Sequence, residues 1–596
     1  MSDRIQIPTR EEADPAYQWH TQDIFEKDEG FLSALDRLKE MGKEFAAFQG
    51  KLHDPKMLLA YLELTEQVEE LAGNIGSYAA LKSDQDTANA RYQGYMGQVS
   101  AIGVELSAAT AFATPELLSL GDELVQMLDH EPALAPYRKA LMDVLRQKEH
   151  ILPEREERLL SLSGEMAGSA GEIFSMLNDA DMSFGTVTDE KGREIPLTHG
   201  RYLHFMESAD RRVRKEAFEK LYAVYREHRN TLAALLNAHE RKNKFYKQAR
   251  GYESCLEMCL FGNQIPKEVY HSLIQAVHGA FPSFYSYMEL RKKALGVDAL
   301  HMYDLYVPVV ENPYGEISYE QAFELVKEAL APLGEEYAGL LCRAKDEGWI
   351  DVYENTGKRS GAYSNGTPTC HPFVLLNFQN NLESAFTLAH ELGHAMHSYF
   401  SNQAQRPIYR NYSIFVAEVA STVNEALLLR HLERCAQGDV KKLAYLANSA
   451  LEQFRATLFR QTMFAEFELK THEIVEQGGS LTPDLLDELY RNLCADYFGS
   501  GVVIDEQISR EWSRIPHFYY DFYVYQYATG FAAAQMLSER ILKGGAPEYL
   551  RFLSRGDSVP PLDALREAGA DLATEKPVAD ALALFAGKVR ELEGLL

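Results

Sequence analysis

Apolar side chains return every three or four positions through the first 180 residues. Stretches 31–48, 55–81 and 88–113 each hold that spacing, which gathers the apolar groups on one helix face and predicts three long amphipathic helices. Thr114-Pro115 and Leu152-Pro153 punctuate the pattern as helix starts or breaks. Between residues 182 and 197 the period changes. Phe184-Gly185-Thr186-Val187, the polar Asp189-Glu190-Lys191-Gly192 and Glu194-Ile195-Pro196-Leu197 predict a β-hairpin. Helical spacing resumes from residue 210 to about 247. A second strand-like region, 349–378, contains the loop Gly361-Ala362-Tyr363-Ser364-Asn365-Gly366 and the strand His371-Pro372-Phe373-Val374-Leu375-Leu376-Asn377-Phe378. That strand runs straight into a helix predicted over 382–400. There is no strict repeat and no low-complexity tract, so the expected fold class is mainly α, with a small β-sheet beside the 382–400 helix.

Composition narrows the setting. A chain of 596 residues can bury a large core, and its apolar (46%) and charged (25%) shares are those of a soluble globular protein. No apolar run reaches the length of a membrane span, and residues 1–4 lack the apolar core of a signal peptide. Six cysteines are scattered along the chain. The closest pair, Cys255 and Cys259, has helical rather than C-x-x-C spacing, which points to reduced thiols in a cytoplasm and against a zinc–cysteine site. A net charge of −28 repels phosphate and excludes nucleic acid as a partner. No membrane association is expected, and a monomer is.

The helix over 382–400 carries His390-Glu391-Leu392-Gly393-His394. Four residues is little more than one turn, so the imidazoles stand on one face about 6 Å apart. They can share one zinc ion, while Glu391, directly after the first histidine, can reach a water on that metal. Two neutral ligands and a base form the core of an amide-hydrolysing site. The bland alternative is a helix with two surface or capped histidines. Asn380 and Asn381 can cap this helix, and Glu383 adds charge to its first turn. Leu382, Phe386, Ala389, Gly393 and Met396 form an apolar or small-residue stripe. Gly393 costs helix stability, about 1 kcal/mol against Ala. It makes sense where a substrate or a second backbone must come close.

Zinc needs a third protein ligand if it is to stay bound and still leave a position for water. A helix predicted from Ser413 to about Arg434 sets Glu418, Ser421 and Glu425 as a polar row among apolar neighbours. Inward carboxylates are costly without a cation. Glu418 is therefore the candidate third ligand, and Glu425 the candidate acceptor for a ligand's ring N–H. Further on lies Ile515-Pro516-His517-Phe518-Tyr519-Tyr520-Asp521-Phe522-Tyr523-Val524-Tyr525-Gln526-Tyr527-Ala528-Thr529-Gly530. If this segment is helical, His517, Tyr520, Tyr523 or Val524, and Tyr527 share a face. These groups can donate hydrogen bonds to a developing oxyanion, or simply form an aromatic core helix. The edge of Phe373-Val374-Leu375 could pair with an extended peptide, and Gly361 and Gly366 could let their loop close over it. An ordinary sheet strand covering the core is compatible with the same residues.

Taken together, H-E-L-G-H-x-M-H, F-V-A-E-V-A-S-T-x-N-E and I-P-H-F-Y-Y-x-F-Y-V-Y-Q-Y-A-T-G resemble the M3 zinc metallopeptidases, most closely the oligoendopeptidase F branch. Thimet oligopeptidase and neurolysin are wider relatives. Met302-Tyr303-Asp304-Leu305-Tyr306-Val307-Pro308, Arg241-Lys242-Asn243 and Arg250-Gly251-Tyr252 also look like that branch, and the resemblance runs from about residue 115 to the C-terminus. It implies that His390, His394 and Glu418 bind one zinc per chain and that Glu391 activates the water. It puts His517, Tyr523 and Tyr527 at transition-state and substrate-binding positions. The thimet-type segment ends with another tyrosine where this chain has Gly530, and its spacing after the histidine differs by one, so Tyr520 is expected to share or replace a role. The resemblance also implies a zincin-like helical fold with a deep channel that admits short peptides. The helical pattern of residues 1–180 suits an independent scaffold or, as the favoured reading, one wall of a cleft, with 181–205 a hairpin segment and 206–596 the catalytic region. The expected activity is hydrolysis of internal bonds in short oligopeptides. Two other readings use the same residues. One is a helical zinc carboxypeptidase, with Arg510 or Arg514 seizing the terminal carboxylate. The other is a non-catalytic peptide-binding protein with a structural zinc, which would need a fourth ligand.

Overall fold

The computed structural model describes residues 7–596, Glu154 by its backbone alone. Residues 1–4, where no signal peptide is expected, lie outside the described residues. The three amphipathic stretches form helices close to where they are expected: α1 (Asp28–Glu44), α2 (Pro55–Gln85) and α3 (Ala90–Thr110). Asp54 caps α2 by accepting the backbone N–H groups of Lys56 and Met57, and Pro55 takes the first turn, where its missing N–H has no partner to lose. The three apolar faces meet in a cluster that includes Phe31, Leu35, Leu58, Tyr78 and Tyr95. Phe31 stacks on Tyr95 and Tyr78, with centroids 4.6 and 5.5 Å away, and Asp28 accepts the Tyr78 hydroxyl at 2.8 Å.

The hairpin is present as β1 (Thr186–Thr188) and β2 (Glu194–Pro196), antiparallel with Val187 opposite Ile195. Helix α4 (Arg211–Ala249) follows. Strand β3 (Leu300–His301) pairs in parallel with a late strand, Val502–Val503. The region 349–378 yields β4 (Ile350–Asp351), β5 (Tyr363–Asn365) and β6 (Phe373–Leu375), arranged β4-β6-β5. This arrangement corrects the expectation of a free strand edge at Phe373-Val374-Leu375. That strand is central, with β4 parallel on one side and β5 antiparallel on the other, and its side chains are fully buried. Both of its ladders are used, so an extended peptide cannot add to it. The sheet's edges are β4 and β5.

The later helices that carry chemistry are α5 (Leu382–Ala404), α6 (Ile414–Cys435), α7 (Arg460–Glu476) and α8 (Tyr525–Leu542). The chain divides into two compact units, each discontinuous in sequence. The first holds residues up to 149, 314–432 and 537–570, and so α1–α3, the β4-β6-β5 sheet and α5. The second holds 150–313, 433–536 and 571–596, and so the hairpin, α4 and α7. The boundaries expected at residues 180 and 205 both fall inside the second unit. Among the described residues, no helix is long and apolar enough to cross a membrane.

Candidate active site

Asn381 caps α5, its side chain accepting the Ser384 N–H at 2.8 Å. Asn380 does not cap; it turns the chain with φ of +53°, a conformation Asn tolerates better than most residues. Leu388, Ala389, Leu392, Ala395 and Met396 have no exposed surface, so α5 is buried on most sides, as befits a helix lacking a broad polar face. Helix α6 lies against it at Gly393. A Cβ there would stand 2.6 Å from both the Ala420 carbonyl oxygen and the Ser421 Cα. Of the two reasons for a glycine between the histidines, the close approach of a second backbone is the one realised. Asn424 locks the contact: its Nδ2 donates to the Ala389 carbonyl at 3.0 Å and its Oδ1 accepts the Tyr337 hydroxyl at 3.1 Å.

This packing brings His390 Nε2 to 3.5 Å and His394 Nε2 to 3.6 Å from Glu418 Oε2. One ligand atom from each of the three residues lies within 4.8 Å of the others, a spread that a single ion can bridge. Glu425 accepts His390 Nδ1–H at 2.5 Å, which fixes the tautomer and leaves the Nε2 lone pair for a cation. Ser421 Oγ donates to Glu418 Oε2 at 3.1 Å, so all three members of the polar row on α6 serve this point. Burial opposes a charge on His390, yet Glu425 first, then Glu391 and Glu418, push its pKa up to about 9. Burial and the neighbouring His390 lower His394 to about 4. The surrounding carboxylates thus favour positive charge here. Two imidazoles and one carboxylate fit a divalent metal ion, and three protein ligands are the number found in catalytic zinc sites.

Glu391 points from the same helix. It is 6% exposed, and among the described residues its Oε2 has no hydrogen-bond partner. Burial raises its pKa to about 7, with His390 opposing and Glu418 and Glu425 reinforcing the shift. A buried carboxyl with an unused oxygen beside a cation site is suited to moving a proton. Toward the N-terminus of α5 lies a pocket of about 440 Å³ whose lining includes Gly361, Phe378, Gln379, Glu383 and Thr387. Gly361 adopts φ of +86°, which a residue with a side chain would resist. Gly366 does not line this pocket. A Cβ there would lie 2.6 Å from the Ser398 Cβ, so this glycine lets the end of β5 rest against α5.

The aromatic segment is not one helix. Pro516–Tyr519 forms a 3₁₀ turn, the chain bends at Asp521-Phe522, and α8 begins at Tyr525. The bend still gathers the expected rings. The His517 centroid lies 5.7 Å from Tyr520 and 6.1 Å from both Tyr523 and Tyr527, and the last two are 5.4 Å apart. Val524, the alternative to Tyr523, is fully buried and outside this group. Asp521 and Phe522 have φ of +53° and +56°, a region that costs residues with side chains about 1–3 kcal/mol each. A partly buried network holds them there. Asp521 Oδ1 accepts Asn243 Nδ2–H at 2.6 Å and lies 2.6 Å from His239 Nε2, and its Oδ2 is 3.3 Å from Lys242 Nζ. The Phe522 N–H donates to Glu468 Oε1 at 2.6 Å. Burial acts to raise the Asp521 pKa, but His239, Lys242 and Asn243 outweigh it and hold the carboxyl well below its ordinary range. In the sequence, Lys242 and Asn243 stand out only as part of the family resemblance, and nothing marks Asp521, His239 or Glu468 as partners. No local spacing links residues 278 positions apart.

A mainly helical protein with two histidines and a glutamate poised around one point, and a buried glutamate beside them, has the architecture of a helical metallopeptidase. The chain belongs to peptidase family M3: the family's model matches residues 204–584, and a model described as Oligopeptidase F matches 116–184. It is 43% identical to Oligopeptidase PepF of Bacillus subtilis, over 99% of this chain and 89% of that protein. It is 39% identical to Group B oligopeptidase PepB of Streptococcus agalactiae, over 98% of each. A solved structure from Chlamydophila abortus matches with a TM-score of 0.92 at 34% identity, covering 99% of this chain and 100% of the other. Oligoendopeptidase-F from Enterococcus faecium matches with a TM-score of 0.74 at 37% identity, covering 95% and 99%. The chain is a metallo-oligopeptidase that hydrolyses oligopeptides, as its motifs led one to expect.

Proposed function

We propose that this chain is a zinc-dependent endopeptidase of short oligopeptides. The observation that carries the proposal is the trio His390, His394 and Glu418 with the buried Glu391 beside it, whose Oε2 has no partner among the described residues. Zinc, held by those three residues, would supply a Lewis acid for the scissile carbonyl and lower the pKa of a water. Glu391 takes a proton from the attacking water and returns it to the leaving amine. A pKa near neutrality suits both halves of that exchange. Glu425 keeps His390 in the tautomer that leaves Nε2 free. His517, Tyr523 and Tyr527, whose rings gather in the second unit, are the donors that the family resemblance proposes for the developing oxyanion, a contribution of about 3–4 kcal/mol for a well-placed donor. Tyr520, 58% exposed, meets the substrate rather than the reacting atoms. The pocket lined by Gly361, Glu383 and Thr387 takes part of the peptide. The six cysteines are scattered, with no C-x-x-C pair, which supports a reducing compartment such as the cytoplasm.

Glu391→Gln is expected to keep one zinc per chain by elemental analysis while turnover drops about 10²-fold or more. Near-normal turnover in that variant would remove Glu391 from the mechanism. Peptides blocked at both ends separate the two peptidase readings. An endopeptidase cuts them, and a carboxypeptidase leaves them whole.

A further inference from the structure

Six arginines in the second compact unit share three carboxylates. Asp304 accepts from Arg211 at 2.7 Å and Arg214 at 2.8 Å; Glu452 from Arg291 at 2.6 Å and Arg455 at 2.7 Å; Glu511 from Arg460 at 2.6 Å and Arg514 at 3.0 Å. Each trio carries one net positive charge, in a chain whose overall charge is −28. Arg455, Arg460 and Arg514 meet in one small cavity together with Tyr202, Tyr306 and Glu511. It has about 20 Å³ of room, enough for one water-sized occupant.

Apolar side chains such as Phe218, Met302 and Ile508 close part of the wall, and the polar part is nearly all donors. Arg455 uses Nε and Nη2 on Glu452, Arg460 uses Nη2 alone on Glu511, and Arg514 uses Nη2 on Glu511 and Nε on the Tyr222 hydroxyl. Among the described residues, Nη1 of all three has no protein acceptor, and the hydroxyls of Tyr202 and Tyr306 make no hydrogen bond. Aromatic faces hold the guanidinium groups in place: Arg455 lies 4.8 Å from the Tyr306 ring centroid, Arg460 4.4 Å from that of Phe464, and Arg514 5.6 Å from that of Tyr202. The Arg455 side chain is only 7% exposed, so its unmatched charge is not relieved by bulk water. Glu511 is the one acidic group in the lining and is already shared by two arginines. A water molecule could accept the spare N–H and O–H groups, but it would leave the excess charge in place.

We propose that this cavity is a binding site for a single small monovalent anion of the halide class, held by Arg455, Arg460 and Arg514 with the Tyr202 and Tyr306 hydroxyls. Only a compact anion matches both the charge and the volume. Its occupancy would brace Arg514, which lies three residues before His517, and so steady the start of the aromatic loop. The proposal stands without any assumption about the role of that loop.

Bromide is the probe. Crystals of the full chain grown in sodium bromide should show an anomalous peak in the cavity, within hydrogen-bond reach of the three guanidinium groups. In solution, at constant ionic strength, replacing gluconate by bromide should raise Tm by about 1–3 °C at about ten to a hundred times the dissociation constant. Arg460→Gln should abolish both signals. If that variant does not fold, Tyr306→Phe is the second arm, with bromide affinity expected to fall several-fold. The proposal is overturned by any of three results: a cavity that holds only water with equal Tm in bromide and gluconate, a Tyr306→Phe affinity equal to that of the parent, or a peptide carboxylate in place of bromide when both are supplied.

Discussion

Gly393 shows how one missing methyl group holds the centre together. The backbone at Ala420-Ser421 occupies the space its Cβ would need, and Glu418 is carried on that same turn of α6. Gly393→Ala should therefore push α6 away, destabilise the chain by about 1–3 kcal/mol and weaken metal binding at the same time. Urea unfolding and metal titration on one preparation measure both effects. Glu425 acts differently, because it meets His390 at the outer nitrogen, Nδ1. Glu425→Gln keeps an acceptor for Nδ1–H but removes a charge, so metal affinity should fall about 10–100-fold with the fold intact. Calorimetric titration of the metal checks this, and an unchanged affinity would reduce Glu425 to a packing residue. Both histidines and Glu391 were legible from four-residue spacing. The unused oxygen of Glu391 was not, because it depends on which atoms from other elements fail to reach it.

Helices were the easiest elements to anticipate, since a 3.6-residue period repeats many times within each. Strand β6 shows in the sequence as a strand, but its central place in the sheet does not. Its neighbours β4 and β5 are two- and three-residue pieces, too short to leave a pattern, and they occupy both of its edges. The aromatic segment failed as a helix for a related reason. Its bend at Asp521-Phe522 is imposed by α4 and α7 through His239, Lys242, Asn243 and Glu468, none of them near in sequence. Asp521→Ala removes three partners at once and should release the bend. The expected result is a fall in kcat of about tenfold or more, roughly 1.4 kcal/mol in the barrier, with metal content unchanged. Asp521→Asn, which keeps an acceptor toward Asn243, should recover part of that loss. Equal activity in both variants and the parent would show that the bend does not serve the reaction.

The two compact units are each assembled from three separated stretches, so much of the stability rests on contacts between distant residues. Glu511 illustrates this. It is buried, accepts from Arg460 and Arg514, and takes the Tyr490 hydroxyl at 2.6 Å. Burial opposes its charge, but the arginines prevail and hold its pKa at about 2, against an ordinary value of 4.5. Because the folded value is the lower one, folding favours the ionised form. The resulting stabilisation is complete above about pH 5 and disappears as the pH falls toward 2. Glu511→Gln should cost about 3–5 kcal/mol at pH 7 and noticeably less at pH 3, measured by urea unfolding at both values. An equal cost at both pH values would mean that the charge of Glu511 is not what stabilises the fold.

Wherever chemistry needs neighbours one helical turn apart, the linear chain already displays it: His390, Glu391, His394 and the row Glu418, Ser421, Glu425 follow from helix geometry alone. Meeting across elements is another matter. The approach of α6 to Gly393, the filled edges of β6, the bend at Asp521 and the arginine-lined cavity all join residues tens to hundreds of positions apart. Local periodicity carries no record of such encounters, since packing, and not the order of residues, selects which faces touch.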